Sequence, residues 1–259
     1  MTRAVRLVAH QFRYDQRVFW RDPNAVFFTA ALPVAFLLIF GTIFGSQPMR
    51  IAGRAARTAD YMVPGMVTFG VVSATFLNLA ISVTISRERG LLKRLRTTPL
   101  PPSAFIAAQV LTAITTSLLL VVVLVAIGWV AFGVHVPGAT LPAVIIALAI
   151  GAATFCTLGL ALTALIPSEA AAAPLANAII LPLYFISGVF IPASQLPATM
   201  LHIADVLPVR PFFLALLTAF DPHGKAPAIT AGKLAIVVGW GLAGLLIASR
   251  TFRWTPRRR

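Results

Sequence analysis

Between Ala104 and Val134 the chain carries no charged residue, a run longer than the roughly 20 apolar residues that cross a bilayer. Comparable runs lie near Tyr61 to Ile85, Leu141 to Leu165, Ala170 to Ile191 and Pro227 to Ser249, and an earlier one near Ala25 to Gly45. Hydrophobic residues make up 59% of the chain and charged ones 11%, whereas about a quarter of a soluble domain is charged. One soluble core cannot bury that excess. The sequence therefore predicts an all-α integral membrane protein with six transmembrane helices, a single domain over 23–259.

Six spans put both termini on one side, and the basic residues choose the side. Lys and Arg number 21 against 7 Asp and Glu; fifteen of the 21 fall in the N-terminal segment, the loop after the second span and the C-terminal tail, and six on the opposite face. The positive-inside rule places both termini in the cytosol of a cell (cytoplasmic) membrane protein. With the basic residues confined between apolar blocks, nucleic-acid binding is set aside.

Residues 1–22 read as a cytosolic interfacial helix. Arg6, His10, Arg13, Arg17 and Arg21 recur every three or four positions, with Val5, Val8, Phe12 and Phe19 on the other face, the pattern of a helix lying among lipid headgroups. Its charges leave no uninterrupted apolar core, so no cleavable signal is expected. Asp22 then Pro23 reads as an N-cap with proline at the first helical position, starting a new helix in a new direction. Residues 192–220 are apolar, but Pro197, Pro208 and Pro211 divide them into pieces too short to cross. We expect an outer re-entrant helical hairpin between spans five and six, shielded by protein; a surface amphipathic helix is the alternative.

Enzymatic chemistry finds little support. His10, His135, His202 and His223 are scattered without paired carboxylates, so no metal site is expected. Ser194, His202 and Asp205 share a segment, yet no GxSxG surrounds the serine. The lone Cys156 excludes an internal disulfide. A phosphate-binding GxxxxGK[ST] loop fails at Gly224-Lys225 and Gly232-Lys233, where Ala219 and Pro227 replace the first glycine and Ala226 and Leu234 follow the lysines. Any ATP used must be bound by another chain.

Polar residues line up on several spans. Thr68, Thr75, Asn78 and Ser82 form a stripe on the second, Gln109, Thr112 and Thr116 one on the third, and Asn177, Tyr184 and Ser187 a looser set on the fifth. Each set serves either interhelical hydrogen bonding or a substrate path; the path candidates are Thr75, Asn78, Ser82, Thr112, Thr116, Asn177 and Tyr184. Ala235, Gly239 and Ala243 give the last span a small-residue face for close helix packing, within the chain or at a dimer seam.

The segment Ser86 to Ser103 joins five basic residues and Glu88 to a Thr-Thr-Pro stop. Its pattern Glu88-Arg89-Gly90, then Leu92-Lys93-Arg94-Leu95-Arg96-Thr97-Thr98-Pro99-Leu100, resembles the signature of type-2 ATP-binding-cassette (ABC) exporter permeases, the drug, lipid and polysaccharide export group. Ser187-Gly188-Val189-Phe190-Ile191-Pro192, followed by Leu196-Pro197, Ile203-Ala204 and Leu207-Pro208, is similar to that family's region between the fifth and sixth spans. Val209-Arg210-Pro211-Phe212 departs from it, where many relatives have a Thr-Tyr-like step.

The resemblance implies a membrane permease subunit that pairs with a second permease chain, as a homodimer or heterodimer, and with cytosolic ABC ATPase subunits. It would export a small amphipathic substrate, lipid or glycan, with ATP and Mg on the partner ATPase and no cofactor in this chain. Residues 1–22 would be the connecting helix and 87–98 the coupling helix, with Arg87, Glu88, Arg89, Leu92, Lys93, Arg94 and Arg96 coupling to the ATPase. Glu88 would face a basic residue of the connecting helix or the ATPase. An ATPase-independent membrane carrier or channel is the alternative.

Overall fold

The computed structural model describes residues 3–51, 54–90, 102–135, 138–221 and 229–251. Among the described residues, five helices are long and apolar enough to cross a membrane: Thr58–Glu88, Ala104–Phe132, Leu141–Leu162, Glu169–Ile186 and Ala231–Thr251. The first of the expected six is a helical run over 23–44 whose apolar part, Thr29–Phe44, is shorter. Its start is set by Pro23, which follows Asp22 at the first helical position; the Asp22 carbonyl accepts from the Val26 amide at 3.1 Å and closes the first turn. We number these spans one to six and call the end where the first begins proximal, the other distal.

The amphipathic helix Arg3–Arg21 leads into the first span at the proximal end and packs against the third. Its Asp15 is buried and takes a 2.8 Å hydrogen bond from Gln11 Nε2. Burial pushes its carboxyl up from 3.8 to about 6, against the opposing pull of Gln11. The folded chain thus holds this proton more tightly than the unfolded one, and the contribution of Asp15 to stability falls as pH rises between those values. Asp15→Asn is expected to flatten the pH dependence of the melting temperature across that interval, measured on purified protein in detergent.

The second span, 78% buried, is the centre of the bundle. It is broken by a π-helical turn at Ser73–Leu77, as the first is at Phe27–Ala31. The wide turn turns the carbonyls of Thr75 and Phe76 toward the fourth span, where they meet Gly159: a Cβ there would stand 2.8 Å from the Phe76 oxygen and 3.2 Å from that of Thr75. Only glycine lets the two backbones approach so closely. The last span packs on the fourth through Gly241 and Gly244, which sit against Thr154, Thr157 and Leu158. Thr154 and Thr157 donate to the Val237 and Gly241 carbonyls at 3.1 and 3.0 Å. The expected small-residue face is a different one, and at Gly239 a Cβ would meet nothing within 4 Å.

The proline-rich segment forms two helices, Ala198–Val206 and Val209–Ala219, meeting at 92°. Pro197 and Pro208 stand immediately before them, as expected of helix starters. Pro211 does not break the second helix, because it lies in the first turn, where backbone N–H groups have no intrahelical partner to lose. The Ala219 carbonyl accepts from Thr140 Oγ1 at 2.6 Å, beside the start of the fourth span. Trp240 Nε1 holds the Val206 carbonyl at 2.8 Å, about 13 Å along the last span at about 1.5 Å per residue. These two bonds tie the bent pair to the start of the fourth span and to the last span. Also distal, and unforeseen in the sequence, is an antiparallel pair of four-residue strands, Pro48–Ile51 and Arg54–Arg57, in register Pro48 to Arg57.

Candidate functional site

Helix C-termini leave carbonyls without intrahelical donors and carry partial negative charge. Among the described residues, three spans end on an arginine that comes from elsewhere. At the distal end of the third, Arg57 donates to the Phe132 and Gly133 carbonyls at 3.1 and 2.8 Å and faces Asp60 at 3.7 Å. At the distal end of the fifth, buried Arg210 donates to the Ser187 carbonyl at 3.2 Å and to Asp205 at 2.7 Å. Gly188, φ +90°, turns the chain there, and its carbonyl accepts from the Tyr61 hydroxyl. Asp205, one member of the Ser194, His202 and Asp205 set, is thus engaged by an arginine.

The third arginine lies at the proximal end. Arg87, 2% exposed, sends Nη1 to the Thr163 carbonyl at 2.7 Å, Nη2 to that of Ile166 at 2.8 Å and Nε to Glu88 at 2.9 Å. Its planar fork spans two carbonyls just past the fourth span, which a lysine's point charge could not match. Next to it, Arg89 reaches Glu169 at 2.5 Å, an exposed pair at the start of the fifth span. Glu169 sits in the first turn of that span, where its charge complements the helix dipole, and Ser168 caps the helix by accepting from the Ala171 amide at 3.3 Å. Residues 87–89 are therefore bound at two points to the chain between spans four and five. Glu88 faces Arg87; Leu92, Lys93, Arg94 and Arg96 lie outside the described residues.

Of the polar path candidates, Thr75 is fully buried and donates to its own helix at Val71, 2.6 Å away. Ser82 bridges the second and third spans to Gln109 Oε1 at 3.3 Å. Thr112 and Thr116 are buried with hydroxyls that have no partner among the described residues. Tyr184, also fully buried, joins Ser73 at 3.2 Å and the Phe69 carbonyl at 3.3 Å, serving the backbone at the π turn. Asn78 is half-buried, and Asn177 donates to the Ala173 carbonyl at 2.9 Å on the outside of the fifth span.

None of these lines the cavity of about 810 Å³ at the distal end. That cavity is walled by Phe36, Phe40 and Phe44 of the first span, Met62 and Met66 of the second, and Phe190, with Gln47, Arg50 and Gln195 also on its lining. Phe36 and Phe190 lie 5.8 Å apart and both pack on Phe69, at 6.2 and 5.3 Å, which in turn meets Tyr184 at 4.8 Å. The signal that could have found it is the four-residue spacing of Phe36, Phe40 and Phe44.

A family model described as ABC-2 type transporter matches residues 7–220. The chain belongs to the ABC-2 type transporter family. It is accordingly the multi-pass membrane permease of an ABC transporter, the component that is not itself catalytic, and membership implies work beside an ABC ATPase. No curated protein matches it. The matched region takes in the ties of Arg87 and Arg89 and the whole distal cavity, so both belong to the permease domain.

Proposed function

We propose that this permease is one half of an ATP-driven exporter in the cytoplasmic membrane, with its proximal end and both termini in the cytosol, moving an amphipathic molecule, lipid or glycan. It pairs with a second permease chain and with separate ATPase subunits that bind ATP and Mg. The reading is supported above all by the double tie of residues 87–89 to residues 163–169. A segment pushed by an ATPase can drive spans only if it is fixed to them. Here the push entering at 87–98 passes through Arg87 to the end of the fourth span and through Arg89 to the start of the fifth, a rigid-body route. Arg87 acts from inside the chain and Arg89 at its surface, through Glu169. Asn177 is the path candidate whose position on the outside of the fifth span suits a route between two chains.

The test is to tag the C-terminus, extract in mild detergent and identify what co-purifies. A stoichiometric ABC ATPase is expected; a monodisperse permease without one would overturn the reading in favour of an ATPase-independent carrier or channel. The tie is tested on the assembled complex. Exposed pairs contribute little to stability, so Arg89→Glu should leave the melting temperature in place and uncouple ATP turnover from export. Arg89→Glu combined with Glu169→Arg should recouple it. A swapped pair as inactive as the single variant would assign Arg89 to contact with the ATPase instead.

A further inference from the structure

The distal cavity is walled mostly by apolar side chains. Its volume of about 810 Å³ lies within the roughly 300–1,000 Å³ of small-molecule sites. Phe36, Phe40 and Phe44 repeat every four residues and so form one stripe along the first span, opposed by Met62 and Met66 at the same spacing. Aromatic faces and flexible thioethers make a wall that adapts to an apolar tail of varied shape.

The polar part of the lining is asymmetric in charge. Arg50, on the strand Pro48–Ile51, is the single charged residue of the lining among the described residues and is exposed. Arg57, Arg87, Arg89 and Arg210 each have a carboxylate partner, whereas no ion pair among the described residues includes Arg50. Among the described residues no acidic side chain lines the cavity with it; its polar companions are Gln47, Thr58, Tyr61, Ser194 and Gln195. A guanidinium with no ion-pair partner among the described residues, beside an apolar chamber, complements a carboxylate, sulfate or phosphate group carried on an apolar tail.

We infer that the distal cavity is a binding site for an anionic amphiphile, its tail among the phenylalanines and methionines and its anionic group on Arg50. This rests on the reading of the chain as an exporter permease, and the occupant is the exported cargo at its last station before release. Selection for negative charge at the distal end gives the transporter a substrate class that its apolar spans do not define.

The test uses the full-length permease in phosphatidylcholine nanodiscs, with the fluorescent probe dansylaminoundecanoic acid and its uncharged methyl ester. Saturable binding is expected, with the acid held about tenfold tighter than the ester, the scale of one charge-assisted contact. Arg50→Gln should bring the acid down to the level of the ester and leave the ester unchanged, and Arg50→Lys should keep most of the preference. Ser194→Trp, at an exposed lining position, should weaken both probes. Equal binding of acid and ester by the parent protein, or acid binding untouched by either Arg50→Gln or Ser194→Trp, would overturn the proposal.

Two further arms separate cargo from a resident lipid. ATP-dependent export of the acid from vesicles by the assembled complex, lost in Arg50→Gln, assigns the site to cargo. Displacement of the acid by phosphatidylglycerol in the disc, without export, assigns it to membrane lipid and overturns the cargo assignment. Binding in discs requires no ATPase, so failure of the ATPase to co-purify and failure of the cavity to bind are separate results.

Discussion

Replacing Arg87 with Ala should remove most of the folded permease from detergent extracts, and the loss should exceed that from any other single arginine. Arg87 is 2% exposed, and its guanidinium is shared among the Thr163 and Ile166 carbonyls and Glu88. Truncation strands the two carbonyls at the end of the fourth span and leaves Glu88, itself largely covered, without its counter-charge. Breaking a buried pair by deleting one partner costs about 3–5 kcal/mol, a large part of a typical stability of about 5–15 kcal/mol. Arg87→Lys should recover part of it, since an ammonium restores the charge but cannot bridge both carbonyls and Glu88 in one plane. Fluorescence-detected gel filtration of the tagged protein, heated in steps, reads both variants. An Arg87→Ala protein as monodisperse and heat-resistant as the parent would show that Arg87 does not hold the two loops together.

The contrast with Arg89 separates two roles that the sequence presents as one. Both arginines fall within the pattern that resembles a coupling helix, yet one is enclosed and the other open on the same turn of chain. Loss of Arg87 should therefore appear in stability and loss of Arg89 in coupling. Arg210 is intermediate, because its partner Asp205 is 51% exposed and can be rehydrated.

How much of this was readable beforehand follows from the range of each interaction. The spans are legible because crossing a bilayer demands an unbroken apolar length that few other structures need. Pro23, Pro197 and Pro208 are legible because proline acts on its own backbone. Arg57 and Arg87 look like loop charges, since the carbonyls they hold are 75 to 79 residues away. The stripe of Thr68 and Thr75 has the spacing of a polar path, but both hydroxyls turn back onto carbonyls four residues earlier, an option open to any helical threonine. The strands Pro48–Ile51 and Arg54–Arg57 are four residues each, too short for an alternating pattern to stand out. The distal cavity escapes notice because its wall joins the first, second and fifth spans, and the spacing of Phe36, Phe40 and Phe44 marks only the first of them.

The second large effect belongs to Gly159. The π turn at Ser73–Leu77 brings the carbonyls of the second span against the fourth, and the gap that remains accommodates a hydrogen but no methyl. Gly159→Ala would place its Cβ 2.8 Å from the Phe76 oxygen, closer than carbon and oxygen pack, and neither backbone can yield without moving a whole span. Overpacking of this kind costs about 1–3 kcal/mol, even though alanine is the better helix former by about 1 kcal/mol, so the net sign tests the contact. Gly159→Leu should leave no monodisperse protein. At Gly239, on the last span, nothing lies within 4 Å of the added carbon, and Gly239→Ala should keep or raise the melting temperature. A Gly159→Ala protein that melts with or above the parent would mean that the second and fourth spans do not meet at the π turn. It would also remove the geometric reason for that turn, which Tyr184 and Ser73 support from the other side through the hydroxyl chain ending on Phe69.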